Sequence, residues 1–175
     1  KKFTNKILLS GKKGSGTDRI GEVNYQLNAE FVLNVQADEP LINLKIIGQA
    51  FDSLETGEQM VSFYKKEFCS DSNDPNKVKV VINNAGHAMY FSRSNIPHNY
   101  NKKLQNNIHI GIYGYSKKVL KSLCSLDKVS IEKIENLEQL RALYYGIKIK
   151  MLQTKFELIG IDTLDDLKKL QKKLK

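Results

Sequence analysis

Phe31-Val-Leu-Asn-Val-Gln-Ala-Asp-Glu-Pro40 is an apolar run that stops in two carboxylates and a proline. Phe31, Val32, Leu33 and Val35 read as a strand buried on both faces, the pattern of a parallel sheet. Pro40 has no N–H to give to a ladder, so Asp38 and Glu39 stand at the carboxyl end of that strand. In open α/β sheets this end is where ligands bind. A carboxylate held there suits a divalent cation shared with phosphate oxygens. The alternative is that Asp38 and Glu39 only end the strand and cap a helix starting near Ile42.

Around this segment the elements alternate. A short strand is expected near Ile7 to Leu9, then the loop Gly11-Lys-Lys-Gly-Ser-Gly-Thr17 and a helix to about Asn28. After the strand Phe31 to Gln36 comes a helix from Leu41 to Leu54, then the polar stretch Ser70 to Asn76. Val78 to Ile82 and Ala88 to Ser92 form a hairpin about the turn Asn83-Asn-Ala-Gly86. Ile96 to Asn101 is a polar loop. His109 to Tyr115 is a strand, followed by helices over 116–125 and 130–145, with Gly146 as the stop. Strands over 147–152 and 156–161 and a terminal helix complete the chain. The order predicts an α/β class, a three-layer α/β/α arrangement with a mixed sheet.

Composition narrows the function. With 175 residues and 41% hydrophobic content, the chain has material for one core and one domain over 1–175. No stretch of ~20 apolar residues predicts a membrane span, and the opening residues lack the apolar centre of a secretory signal. Cys69 and Cys124 suit neither a disulfide framework nor a zinc site, which fits a reducing cytoplasm. The net charge of +9 gathers mainly in Leu167 to Lys175, where Leu167, Leu170 and Leu174 make one apolar stripe on a solvated helix. No nucleic-acid motif accompanies the charge, which suits an anionic substrate such as a nucleotide or a sugar acid.

Several residues are candidates for chemistry, each with an ordinary alternative. The loop ending at Gly16-Thr17-Asp18 lacks the lysine of a P-loop. Its glycines allow a tight turn and Thr17 can cap the helix, whose first N–H groups are open to an anion or a base edge. On the helix 130–145, Glu138 and Arg141 fall inside an apolar arc, while Glu132, Glu135 and Gln139 lie on or beside the polar edge. A carboxylate facing a core needs partners. Glu138 either pairs with Arg141 or, beside Gln139, faces a cleft and accepts hydroxyls of a ligand. Asp162 ends a second strand, and Thr163 with Asp166 supplies the following helix cap, so Asp162 is free to share one Mg²⁺ with Asp38. Arg93 ends a strand, and alternation puts His109, Gly111 and Tyr113 on one face. That set suits a carboxylate and hydroxyl groups, or else packs structurally.

Ser15-Gly-Thr-Asp-Arg19, Asn34 to Pro40, Val78-Lys-Val-Val81, Tyr90-Phe-Ser-Arg93, His109-Ile-Gly-Ile-Tyr-Gly-Tyr115, Leu137-Glu-Gln-Leu-Arg-Ala142 and Gly160-Ile-Asp-Thr163 occur in this order. Together they closely resemble the 3-deoxy-manno-octulosonate (Kdo) cytidylyltransferases, over essentially the whole chain. The resemblance implies a Rossmann-like nucleotide-diphospho-sugar transferase fold, usually homodimeric. It implies Mg²⁺-dependent transfer of CMP from CTP to the anomeric hydroxyl of Kdo, giving CMP-Kdo and pyrophosphate for lipopolysaccharide biosynthesis. By the same resemblance Ser15, Gly16 and Arg19 belong to the nucleotide pocket and Asp38 and Asp162 are the metal ligands and catalytic carboxylates. Gln36, Arg93, His109, Tyr113, Glu138 and Gln139 hold the sugar acid.

The chain departs from the family at Lys13 and Gly14, where a histidine and a polar residue are usual, and at Ala37, where glycine is usual. The family's first βαβ unit, with its basic phosphate-binding loop, is also absent. A chain beginning at Lys1 is therefore expected to expose a sheet edge and to turn over CTP poorly. The alternatives are a cytidylyltransferase for another acidic sugar, such as a sialic acid or amino-Kdo, and a binding module without catalysis.

Overall fold

The structure, a computed structural model, describes residues 7–13, 15–36, 42–68, 74–98, 100, 105–156, 168, 170 and 171. Its elements in order are α1 (Gly16–Leu27), β1 (Phe31–Asn34), α2 (Leu44–Glu55), β2 (Met60–Phe68), β3 (Lys79–Ile82) and β4 (Ala88–Ser92). They continue with β5 (Gln105–Ser116), α3 (Lys117–Ser125), α4 (Ser130–Glu135), α5 (Gln139–Tyr144) and β6 (Ile149–Gln153). The expected strand over 156–161 and most of the terminal helix lie outside the described residues; Leu170 of that helix is buried.

The strands form one sheet in the order β4-β3-β5-β2-β6, and β1 also pairs with β5. The β2–β6 pair is parallel and the others are antiparallel, so the sheet is mixed as expected. Alternation along β2 and β5 feeds two cores, one on each face. Val61, Phe63, Ile110 and Ile112 pack against Ile46, Ala50 and Leu54 of α2. Met60 and Tyr115 pack on the other face with Val119, Leu120 and Leu123 of α3 and Leu140 and Ala142 of α5. These are the three layers that the sequence predicts.

Four expectations change. The sequence reading assigns no element to 60–68, yet β2 is an interior strand, paired with both β5 and β6. β1 is antiparallel to β5 and half-buried at every residue, not a parallel strand covered on both faces. Residues 7–10 form no strand, and Leu9 is exposed. The helix expected over 130–145 is two helices, because Asn136 adopts the left-handed conformation (φ 51°) and ends α4.

β5 positions the site. One of its edges carries β2; the other is shared by β3, through Lys79 opposite Ile108, and β1, which covers Tyr113 to Ser116. Between these two partners, past the His109 N–H that donates to the Val78 carbonyl, the sheet splits beside residues 110–112. On the β2 side the register also slips there: Ser62 faces Tyr113, but Phe63 faces Ile110. The bulge leaves Gly111 and Ile112 as extra residues and bends the strand.

Candidate active site

Three segments converge at this split. The first is the head of α1. Ser15 is the helix cap, its Oγ accepting from Asp18 N at 3.1 Å, so the cap is not Thr17. Thr17 is instead buried, its Oγ1 3.4 Å from the Tyr115 hydroxyl. Gly16 passes close to the end of β1: a Cβ added to it would stand 3.9 Å from Asn34 Nδ2. Beyond Asn34, Gln36 crosses the split, its Nε2 4.0 Å from where a Gly111 Cβ would be.

The second segment is the corner between α4 and α5. Because the helix breaks at Asn136, Glu132 turns inward and is buried, correcting the polar-edge reading. It takes both ends of the Arg141 guanidinium, at 2.9 Å from Nε and 2.6 Å from Nη2. This bidentate pair holds Arg141 charged and raises its pKa, chiefly through the Glu132 hydrogen bonds. Glu138 is left at the head of α5, its Oε1 3.7 Å from Arg141 Nη2 and too far for a hydrogen bond. Gln139 is buried beside it and not on a polar edge. Glu138 Oε1 and Gln139 Nε2 are buried without hydrogen-bond partners among the described residues. A buried acceptor or donor left unpaired costs about 1–3 kcal/mol. Both line a pocket with Thr17, Tyr113, Tyr115 and Arg141, with room for about 20 Å³, roughly one water.

The third segment is β5. His109, Gly111 and Tyr113 share its partly exposed face, as alternation predicts. The His109 ring packs edge-on to Phe91 at 5.0 Å and tilted against Tyr113 at 5.4 Å. Desolvation lowers its pKa from 6.5 to about 3, so the ring is neutral near pH 7. Desolvation likewise raises the Tyr113 pKa well above its usual value, with Tyr115 and Glu138 adding to the shift. Tyr113 thus remains a phenol and a hydrogen-bond donor.

Ser15, Gly16, Gln36, Tyr113, Glu138 and Gln139 gather at the split, with His109 one ring away. Two candidates stand elsewhere. The Arg93 guanidinium donates to the backbone carbonyls of Glu135, Pro75 and Asn136 at 2.8, 2.8 and 3.2 Å, and its N–H donates to Glu135 Oε2. It pins the end of β4 to the corner that carries Glu138, using three of the five guanidinium N–H groups. Arg19 is exposed and lines an apolar groove on the outer side of α1 and β1. Asp38 and Asp162 lie outside the described residues. Among the described residues no three His, Cys, Asp or Glu side chains cluster as metal ligands.

Thr17, Asn34, Tyr115 and the Glu132–Arg141 pair were not anticipated as parts of the site. Asn136 was the available signal for the pair, being a residue that tolerates the left-handed conformation after a helical turn. A larger cleft, about 900 Å³, lies between α1 and α3 beside Tyr25, Lys121 and Cys124. It contains none of the unpartnered buried atoms, so its size does not make it the functional site.

The cytidylyltransferase family profile matches residues 2–149. A 3-deoxy-manno-octulosonate cytidylyltransferase of a Nitratiruptor species is 45% identical over 172 residues, covering 94% of this chain and 72% of that protein. Its Helicobacter pylori counterpart is 41% identical over 175 residues, with 95% and 72% covered. The solved structure of a CMP:2-keto-3-deoxy-manno-octonic acid synthetase complexed with CTP superimposes with a TM-score of 0.92 at 31% identity, covering 99% of this chain and 73% of that one. A 4-diphosphocytidyl-2C-methyl-D-erythritol synthase of Anaerococcus prevotii, at 14% identity and a TM-score of 0.60, shares the fold alone. With three segments meeting at the split of a mixed sheet and matches that run along nearly its whole length, the chain belongs to the cytidylyltransferase family, among its 3-deoxy-manno-octulosonate cytidylyltransferases.

Proposed function

We propose that the protein transfers CMP from CTP to Kdo, with the sugar acid seated against α5 and β5 and the nucleotide against the head of α1. The observation that carries this reading is the pair of buried groups at the head of α5 that make no hydrogen bond among the described residues. Glu138 Oε1 can only accept and Gln139 Nε2 can only donate. Side by side they match a vicinal polyol, whose hydroxyls both give and take hydrogen bonds. Tyr113 adds a neutral donor. Gln36 reaches the same split from β1. The head of α1 contributes backbone N–H groups and a helix dipole that favour an anionic nucleotide.

In the reaction the anomeric hydroxyl oxygen of Kdo attacks the α-phosphorus of CTP. The bond from that phosphorus to the α,β-bridging oxygen breaks, pyrophosphate leaves, and the hydroxyl proton is released. No covalent protein intermediate is required, so alignment of the two substrates and charge stabilisation supply the acceleration. The chain's own part is to fix the sugar by Glu138 and Gln139, to keep His109 and Tyr113 neutral, and to hold the base of the cleft rigid through Glu132–Arg141.

The carboxylates that would hold Mg²⁺ are Asp38 and Asp162, both hard oxygen donors at expected strand ends. The ion would polarise the phosphate and neutralise the leaving group. The proposal includes a homodimer and a cytoplasmic location, the first following from the family and the second from a nucleoside triphosphate substrate. Among the described residues no helix is long and apolar enough to cross a membrane.

The test is pyrophosphate release from CTP with a panel of acidic sugars. Kdo should be preferred over amino-Kdo and sialic acid. Glu138→Gln and Gln139→Ala should each raise KM for the sugar at least about tenfold, as for a lost charged or buried hydrogen bond, with KM for CTP unchanged. Equal rates across the panel, or a change confined to CTP, would overturn the assignment.

A further inference from the structure

Ser62 is fully buried on β2, in register with Tyr113 across the bulge of β5. Its Oγ has three neighbours: the carbonyl oxygen of Ile112 at 2.9 Å, that of Ile110 at 3.3 Å, and Nε2 of His109 at 2.9 Å. A hydroxyl carries one hydrogen, and a carbonyl oxygen can only accept. If that hydrogen went to the imidazole, two carbonyl oxygens would face hydroxyl lone pairs at close range. The arrangement is attractive throughout only when the hydrogen points to a carbonyl and the ring nitrogen does the donating.

We propose that Ser62 is a positioning residue: it gives its hydrogen to the bulge carbonyl of Ile112, accepts Nε2–H of His109, and so leaves Nδ1 as an acceptor for a hydroxyl of the sugar acid. This rests on the reading of the cleft as a sugar-acid site. No described residue pairs with Nδ1, and it is not among the buried polar atoms lacking a partner, so it stays open to a ligand. Burial keeps the ring neutral, which preserves the lone pair. The consequence is one of specificity. A neutral ring offering an acceptor repels a carboxylate and selects a hydroxyl, so His109 does not hold the acid group of the sugar. The irregular register between Ser62 and Phe63 is what brings two carbonyls to one hydroxyl.

The tautomer is read directly from the side-chain ¹⁵N shifts of histidine-labelled protein, with His109 assigned by its loss in His109→Gln. Nδ1 should appear unprotonated and Nε2 protonated. Ser62→Ala should admit the opposite tautomer, and Ser62→Thr, which keeps the hydroxyl, should restore the parent signature. In turnover, Ser62→Ala should raise KM for the sugar about tenfold, the loss expected for one neutral hydrogen bond, with kcat and KM for CTP little changed. A protonated Nδ1 in the parent protein, or an unchanged tautomer in Ser62→Ala, would overturn the proposal even if that variant proved unstable. If no acidic sugar supports turnover in the parent, the functional reading falls, while the spectra still decide the role of Ser62.

Discussion

The centre of the sheet and its β1 flank are built from the same materials and differ in closure. In β2 and β5, Val61, Phe63 and Ile112 are 0% exposed, enclosed by a helical layer on each side. On the flank, β1 is half-buried throughout and paired along one edge among the described residues. Tyr25 and Leu27 of the adjoining α1 are 89% and 61% exposed, and a groove of about 410 Å³ runs between helix and strand. The candidate site lies on the boundary. One wall, β5 with α5, is anchored by the closed core and by a buried ion pair. The other, the head of α1 with the end of β1, is tied to it by Thr17 and Asn34. The β5 and α5 wall is therefore preorganised by packing, and the α1 and β1 wall depends more on what covers the flank.

Truncation should expose the contrast most strongly. Phe63→Ala removes a ring from the closed centre and should cost about 3–5 kcal/mol in denaturant unfolding. A loss below about 1 kcal/mol would mean that the centre is no better packed than the flank.

Acid should act on the centre next. The folded-state pKa of His109 is about 3, below its ordinary 6.5. Between those values the unfolded chain takes up a proton that the folded chain refuses. Stability is therefore full above about pH 6.5 and falls as the pH drops toward the folded value. The loss should reach up to about 2 kcal/mol by about pH 5. Unfolding midpoints across that range, compared with His109→Gln, check it, since the variant should lose less. Parallel curves would remove His109 as the cause.

The smallest effect belongs to the flank. Leu27→Ala, at a largely exposed site, should change stability by no more than about 0.5 kcal/mol. A larger loss would show that a partner covers Leu27 in solution, which would sharpen the contrast by locating what closes this side.

Alternation was enough to place His109, Gly111 and Tyr113 on one face, and turn chemistry was enough for Asn83 to Gly86, where Gly86 takes φ 79°. Both are local, set by period and backbone sterics within a few residues. The strand β2 is hard to see in the sequence because its apolar half, Met60 to Tyr64, is interrupted by Ser62 and followed by the charged Lys65, Lys66 and Glu67. Pairing with β5 carries the strand through that polar half to Phe68, a case of long-range pairing overriding local pattern.

The inward turn of Glu132 was hidden for a related reason. A helical wheel drawn through Asn136 rotates every residue before it relative to those after it.

Residue order and side-chain chemistry alone settled the alternating layers and the family, because these follow from local periods and from short runs of distinctive composition. Folding in three dimensions decided the rest. It turned Arg93 toward backbone carbonyls, paired Arg141 with Glu132, left Glu138 Oε1 and Gln139 Nε2 without hydrogen-bond partners among the described residues, and set Ser62 beneath His109. Each of those outcomes depends on which groups lose water together and compete for the same partners, and that competition joins residues far apart in the chain.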